Sequence, residues 1–210
     1  MPIRVVLADD HVLVRQGLKS LLEHEKFQVV AEASDGQEVV QLAEKHSPDI
    51  ALMDISMPTL NGIDAARQLA KTSSKTKTIL LTQHDEELYI HEALEAGVRG
   101  YVLKSQVASD LVHAIEQVHQ GGFYLSPGVS QVVVEAYRGR MERASDPLSV
   151  RERQVLQLIA EGKSTKDVAS ILGIGVKTAE SHRSRLMQKL DIHETASLVR
   201  YAVRRGLVQP

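Results

Sequence analysis

The sequence predicts an α/β domain built on a doubly wound, five-stranded parallel sheet, followed by a small all-α domain of four helices. Three observations predict this. Short β-branched apolar runs alternate with helical patterns through residues 1–120. Four of the five runs end in Asp, Thr or Lys, as if one edge of the sheet were reserved for polar chemistry. Strand patterns then cease, and residues 148–210 carry only helical periodicity. Five βα units in a row demand right-handed crossovers, with helices on both faces of the sheet.

In order, the first run is Ile3 to Ala8, which leads into Asp9 and Asp10. Val14, Leu18, Leu21 and Leu22 then share one helical face. Phe27 to Ala33 is the second strand, followed by a helix from Gln37 to about Lys45. Ile50 to Asp54 is the third, and its near-continuous apolar stretch marks burial on both sides. A helix from about Asn61 to Ala70 precedes the fourth strand, Thr78 to Thr82. A helix from about Glu86 to Ala96, a strand from Gly100 to Leu103 leading into Lys104, and a helix from about Ser109 to His119 complete the pattern. Gly97, Gly121 and Gly122 read as helix stops.

Residues 122–147 change character and read as a linker with one helix, from about Val129 to Arg143. In the tail, Ser149 and Glu152 form a capping box, and that helix ends at Gly162. A second helix runs from Ser164 to Leu172, a third from after Gly175 to about Leu190, and a fourth from roughly Glu194 to Arg205. Leu172-Gly173-Ile174-Gly175 makes the turn between the second and third.

The chain has no cysteine, which suits a reducing compartment and removes thiolate metal sites. No apolar stretch approaches a membrane span, and the amino terminus meets its Asp pair too early for a signal peptide. A cytoplasmic protein without membrane contact is therefore expected. Residues 1–147 hold 14 Lys/Arg against 21 Asp/Glu, whereas residues 148–210 hold 11 against 6. Opposite charge points to different partners for the two halves, although two solvated surfaces of unequal composition would serve the numbers equally.

In open parallel sheets, ligands sit at the carboxyl ends of the strands. Asp9, Asp10 and Asp54 would supply three carboxylates there, Thr82 a hydroxyl and Lys104 an ammonium. Such a set suits a hard divalent cation such as Mg²⁺ and phosphoryl transfer to a carboxylate. In the tail, the third helix exposes Lys177, Thr178, Glu180, Ser181, Arg183, Ser184, Arg185 and Lys189, with Val176, Ala179, Leu186, Met187 and Leu190 expected inward. A helix of this kind fits a major groove. A small helical interaction domain would show the same periodicity.

Asp9-Asp10-His11, Asp54 with Met57-Pro58 and Asn61-Gly62, Leu81-Thr82, and Gly100-Tyr101-Val102-Leu103-Lys104 resemble the motifs of response-regulator receiver domains. Leu148-Ser149-Val150-Arg151-Glu152-Arg153, Ala160-Glu161-Gly162-Lys163-Ser164 and Val176-Lys177-Thr178-Ala179-Glu180-Ser181-His182-Arg183 resemble LuxR-type helix-turn-helix domains. The whole chain thus looks like a NarL/FixJ-family response regulator, with a flavodoxin-like receiver over 1–121, a linker over 122–147 and a DNA-binding domain over 148–210.

The resemblance implies that Asp54 accepts a phosphoryl group from a sensor histidine kinase. It implies that Asp9, Asp10, Asp54 and the main-chain carbonyl of Ser56 arrange Mg²⁺, with Thr82 and Tyr101 as the switch pair. Glu180, Ser181 and Ser184 fall at base-reading positions, and Lys177, Thr178, His182, Arg183, Arg185 and Lys189 at backbone positions. The implied partners are the kinase, double-stranded DNA, a second copy in the active state and RNA polymerase. Slow self-dephosphorylation is implied, but not enzymatic turnover. Leu198, Val199 and Ala202 resemble a dimerisation surface, or else fill the small domain's core. Gln83 is larger than the residue common in relatives and narrows access to an aspartyl phosphate. Ser105 replaces the usual Pro, so the cis-Pro turn of relatives is absent. Ser56 and His84 match positions that tune phosphate lifetime.

Overall fold

The computed structural model describes residues 1–83, 87–130 and 147–208, which belong to two compact units, Met1–Met141 and Glu142–Pro210. The first unit contains β1 (Arg4–Ala8), α1 (Val12–His24), β2 (Gln28–Ala33), α2 (Gly36–His46), β3 (Ile50–Asp54), α3 (Gly62–Thr72), β4 (Lys77–Thr82), α4 (Glu87–Glu95), β5 (Gly100–Leu103), α5 (Val107–His119) and β6 (Tyr124–Leu125). Its strands are parallel and ordered β2-β1-β3-β4-β5-β6. The order reverses between β1 and β3, and such a switch point opens a crevice outside the strand ends.

Period-two alternation assigns the strand side chains to two cores. Val5, Leu7, Ile50, Leu52, Ile79, Leu81 and Val102 pack with Leu18 and Leu22 of α1 and with Leu111, Ile115 and Val118 of α5. Val6, Ala8, Ala51, Met53, Leu80 and Tyr101 pack on the other face with Val39 of α2, Ile63 and Leu69 of α3, and Ile90 of α4. Each fully buried Leu, Ile or Val contributes about 1.5–3 kcal/mol, so the doubly covered strands are the fold's anchor.

Two features depart from expectation. The sheet has six strands rather than five. Gly121, at φ +98, ends α5 and turns the chain back, and Gly122 N–H donates to the Gln117 carbonyl at 3.0 Å. Tyr124 N–H then reaches the Arg99 carbonyl at 2.9 Å and Ser126 N–H the Tyr101 carbonyl at 3.0 Å. Two residues are too short to show a period of two. Val14 also sits exposed in the first turn of α1, beside exposed Val12 and Leu13, because that turn stands at the sheet's carboxyl rim, past the residues that could cover it. The 127–130 segment is helical, and the rest of the helix expected over 129–143 lies outside the described residues, as does His84.

The second unit contains α6 (Val150–Ala160), α7 (Thr165–Ile171), α8 (Val176–Leu190) and α9 (Thr195–Arg204). Ser149 and Glu152 close the expected capping box, and Ser164 with Asp167 forms a second. Gly175 caps α8 without a side-chain bond. Gly162 (φ +79) and Gly173 (φ +63) hold the left-handed turns between helices. Leu156, Leu158, Val168, Ala179, Leu186, Leu198 and Ala202 form one core. Leu198 and Ala202 are fully buried in it, so they fill this unit's interior rather than a dimer surface. No helix among the described residues is long and apolar enough to cross a membrane.

The entry to α3 is a tight approach beside Asp54. Gly62 N–H donates to the Ile55 carbonyl at 2.8 Å, Asn61 caps the helix by accepting from Asp64 N–H at 2.9 Å, and a β-carbon on Gly62 would collide with the Asp54 carbonyl. Gly62→Ala is expected to destabilise the first unit by about 1–3 kcal/mol in urea unfolding. Gly17→Ala, in α1 with open space around it, is expected to be neutral or slightly stabilising. Equal midpoints for the two variants would refute the steric account.

Candidate functional site

The switch point brings together residues far apart in the chain. Asp9 follows β1 and is fully buried; Asp54 ends β3 and is nearly so. Lys104, just past β5, places its Nζ 2.9 Å from Asp9 Oδ2 and 2.9 Å from Asp54 Oδ2. Asp9 Oδ1 accepts from His11 N–H at 2.8 Å. Burial pushes the Asp54 carboxyl up; the Lys104 charge and hydrogen bond oppose this, and Asp9 and Asp10 add to the rise. Burial pulls the Lys104 ammonium down, but Asp54 and Asp9 outweigh it and hold it above the ordinary lysine value. The site therefore keeps a cation and carboxylates in close register.

Asp10 is the least constrained acid. Its Oδ1 lies 2.8 Å from His11 Nδ1 without the alignment of a hydrogen bond, shut off from solvent and lacking any other partner. Ligand atoms of Asp9, Asp10, His11 and Asp54 lie within 4.8 Å of one another. An orphaned carboxylate oxygen among three carboxylates fits a hard divalent cation, so the cluster can hold a metal.

Thr82 ends β4 beside Asp54: the ladder pairs Asp54 with Leu81 and Thr82 with Leu103. Ser56 is half-buried in the loop from β3 to α3. Thr59 in that loop has φ +67, a left-handed conformation that strains a β-branched residue. Tyr101 does not join the acidic cluster; it is buried in the core under α3 and α4. Gln83 is exposed. Lys104-Ser105-Gln106 forms a short 3₁₀ turn, and no described peptide bond is cis.

Two sets of residues carry no signal in the sequence. Arg15 Nη1 donates to the Asp9 carbonyl at 2.6 Å, and its Nε lies 3.6 Å from Glu32 on β2. Ser126, fully buried, donates to Asp110 Oδ2 at 2.9 Å and accepts from Leu103 N–H at 3.2 Å. Tyr124 joins them, its phenol pushed up to about 12 by burial and by its hydrogen bond to Asp110. A charged residue in the first turn of a helix and a Ser after a Gly pair carry no pattern that singles them out.

In the second unit, Lys177, Thr178, Glu180, Ser181, Ser184 and Arg185 stand exposed on α8, with His182 and Arg183 half-buried. Ala179 and Leu186 face inward as expected, but Val176 is exposed because it opens the helix with no preceding turn to cover it. Lys189 Nζ lies 2.7 Å from the buried Glu152, and Arg183 donates to the Thr195 hydroxyl at 3.0 Å. These two cations brace α8 against α6 and α9 as well as pointing charge outward.

Comparison with known proteins places both units. Residues 5–116 match the response regulator receiver domain, and residues 146–202 match the bacterial regulatory proteins of the luxR family. The chain belongs to the NarL/FixJ family of response regulators. The regulator is 41% identical to the transcriptional regulatory protein MctR of Rhizobium johnstonii, over 98% of this chain and 95% of that one. It is 36% identical to the oxygen regulatory protein NreC of Staphylococcus epidermidis, over 98% and 99%. Among solved structures, a LuxR-family two-component response regulator from Aurantimonas sp. SI85-9A1 matches with a TM-score of 0.63 and 35% identity, over 66% of this chain and 99% of that one. RcsB, solved in complex with DNA, matches with a TM-score of 0.61 and 26% identity, over 96% and 98%. The regulator is thus a two-component transcription factor with a LuxR-type DNA-binding domain, from a family of DNA-binding regulators rather than turnover enzymes.

The Glu152–Lys189 pair gives the regulator's second unit a pH signature. Burial pushes Glu152 up, but Lys189 and the Ser149 N–H and hydroxyl outweigh it and hold the carboxyl below its ordinary 4.5. A carboxyl lowered by folding contributes stability that is complete above its unfolded value and lost as pH falls through the folded one. Thermal unfolding by circular dichroism is expected to show a larger loss from about pH 6 to about pH 3 in the wild type than in Lys189→Ala. Equal losses would exclude the pair as a source of acid sensitivity.

Proposed function

We propose that the regulator is switched by Mg²⁺-dependent phosphorylation of Asp54 from a sensor histidine kinase, and that the phosphorylated form favours a DNA-competent homodimer. The observation that carries this reading is the Lys104 ammonium seated 2.9 Å from both Asp9 and Asp54, beside the orphaned Asp10 oxygen. Asp9, Asp10, Asp54 and the Ser56 main-chain carbonyl would hold Mg²⁺. When bound, the ion neutralises charge on the phosphoryl oxygens.

Asp54 is the nucleophile: one carboxylate oxygen bonds to phosphorus as the bond from phosphorus to the kinase's histidine nitrogen breaks, leaving the electron pair on the imidazole. Lys104 opposes the upward push that burial gives the Asp54 carboxyl and pairs with the phosphoryl oxygens. Thr82, one residue beyond the Asp54 partner in the ladder, hydrogen-bonds one of them. Tyr101 is its companion in the switch, and the buried position observed is one of its two states.

The proposed division is a receiver over 1–121, a linker over 122–147 fastened to the receiver by β6, and a DNA-binding domain over 148–210. On α8, Glu180, Ser181 and Ser184 read base edges, while Lys177, Thr178, His182, Arg183 and Arg185 contact the backbone. Lys189 divides its charge between the backbone and Glu152. A differential of a few kcal/mol between states suffices for the switch. The protein works in the cytoplasm, where RNA polymerase is its further partner.

Incubation with a small acyl phosphate and Mg²⁺ is expected to add one phosphoryl group, detected by phosphate-affinity electrophoresis. Asp54→Asn and chelation by EDTA should each abolish the shift, and a persisting shift in Asp54→Asn would place the acceptor elsewhere. DNA affinity is expected to fall steeply with salt, and Arg185→Ala to reduce the slope of log affinity against log salt by about 1. An unchanged slope would remove Arg185 from the interface.

A further inference from the structure

Asp9 has a partner for every polar group it owns. Its N–H donates to the Ala33 carbonyl at 3.3 Å. Its Oδ1 accepts from His11 N–H and its Oδ2 from Lys104. Its carbonyl accepts from Arg15 Nη1 at 2.6 Å. Three of these contacts come from the sheet, from the turn itself and from the site's own cation. The fourth is a side chain that reaches back from α1, and it has an anchor of its own. Glu32 on β2 lies 3.6 Å from Arg15 Nε and 2.6 Å from Lys19 Nζ. Only 17% of the Arg15 side chain is exposed.

We infer that Arg15, oriented by Glu32, is a positioning residue for metal binding: it fixes the Asp9-Asp10 turn through the Asp9 carbonyl so that both carboxylates stay beside Asp54. A guanidinium can serve a carbonyl and a carboxylate at once because its N–H groups diverge in a rigid fork. Removing it leaves the turn that carries two of the three acids held at one fewer point. The buried Asp10 oxygen gives that loss its consequence, since apart from the His11 imidazole 2.8 Å away it has no hydrogen bond to set where it lies. The inference rests on the Mg²⁺ reading of the acidic cluster.

The test is a Mg²⁺ titration of the full chain by isothermal calorimetry, paired with melting in EDTA. Partners behind metal ligands are typically worth 10–100-fold in affinity, so Arg15→Ala is expected to weaken Mg²⁺ binding about tenfold. The labelling rate at Asp54 should fall at low Mg²⁺ and recover at saturating Mg²⁺. Arg15→Lys should retain most of the affinity, because an ammonium still donates to a carbonyl. Glu32→Gln should lose less than Arg15→Ala.

Wild-type Mg²⁺ affinity in a folded Arg15→Ala, with only the melting point lowered, would overturn the inference and leave the proposed function standing. If Arg15→Ala does not fold, wild-type affinity in Glu32→Gln overturns it equally, because that variant is expected to lose part of the affinity. A wild-type chain that binds no Mg²⁺ would overturn the metal reading and this inference together, and Asp54 labelling without Mg²⁺ would mark that case.

Discussion

The receiver depends on one ammonium. Asp9 and Asp54 are both withdrawn from water at the reversal of strand order, and two such carboxylates left without a cation would cost several kcal/mol each. Lys104 meets both at 2.9 Å, although 95 residues separate it from Asp9 in the chain. The order β2-β1-β3-β4-β5 brings the ends of β1, β3 and β5 to one crevice. The topology and the electrostatics therefore require each other: the sheet gathers the charges, and the lysine makes the gathered charges tolerable. The pair is also chemically poised. Burial pushes the Asp54 carboxyl up, and the charge and hydrogen bond of the lysine oppose that rise.

The second unit solves a smaller version of the same problem. A short chain with one modest core has little margin, and its helix ends carry unsatisfied backbone groups. Ser149 with Glu152, and Ser164 with Asp167, satisfy the amino ends of α6 and α7 within the local sequence. Glu152 then does a second task by holding Lys189 from the far end of α8. The helix proposed to enter the groove is thus fixed at its carboxyl end by a buried acid, while its outer face presents Lys177, Glu180, Ser181 and Ser184 to solvent.

Most of this was legible in the sequence, and the reasons are physical. Strands covered on both faces must be apolar throughout, so β3 and β4 announce themselves. The acids and Lys104 stand just past those runs, so a parallel sheet places them together without further information. The capping boxes and the Gly162 and Gly173 turns are local in sequence and equally visible. What stayed hidden depends on long-range packing. β6 is too short for a pattern, and its pairing depends on a turn made by Gly121. Val14 reads as core but stands at a rim, beside exposed Val12 and Leu13. Leu198 and Ala202 fit a dimer surface or a core equally well by periodicity, and their complete burial decides for the core. Arg15 reads as an ordinary helix cation until its carbonyl partner is seen.

The sixth strand matters beyond the count. β5 carries Tyr101 and leads directly to Lys104, and β6 is hydrogen-bonded along β5 at Arg99 and Tyr101. Ser126 adds a buried grip on Leu103 N–H, the residue before the lysine, and is itself held by Asp110 on α5. Interiors packed this closely do not deform continuously; they exchange between discrete arrangements. A displacement of Lys104 toward a phosphoryl group on Asp54 must therefore be accommodated by β5, and the first neighbours to feel it are Ser126 and β6, where the chain departs toward residue 130. The same strand sets the cation's position and fastens the outgoing chain. The buried Ser126–Asp110 bond links these two roles, because loosening it frees both the end of β5 and the start of the linker.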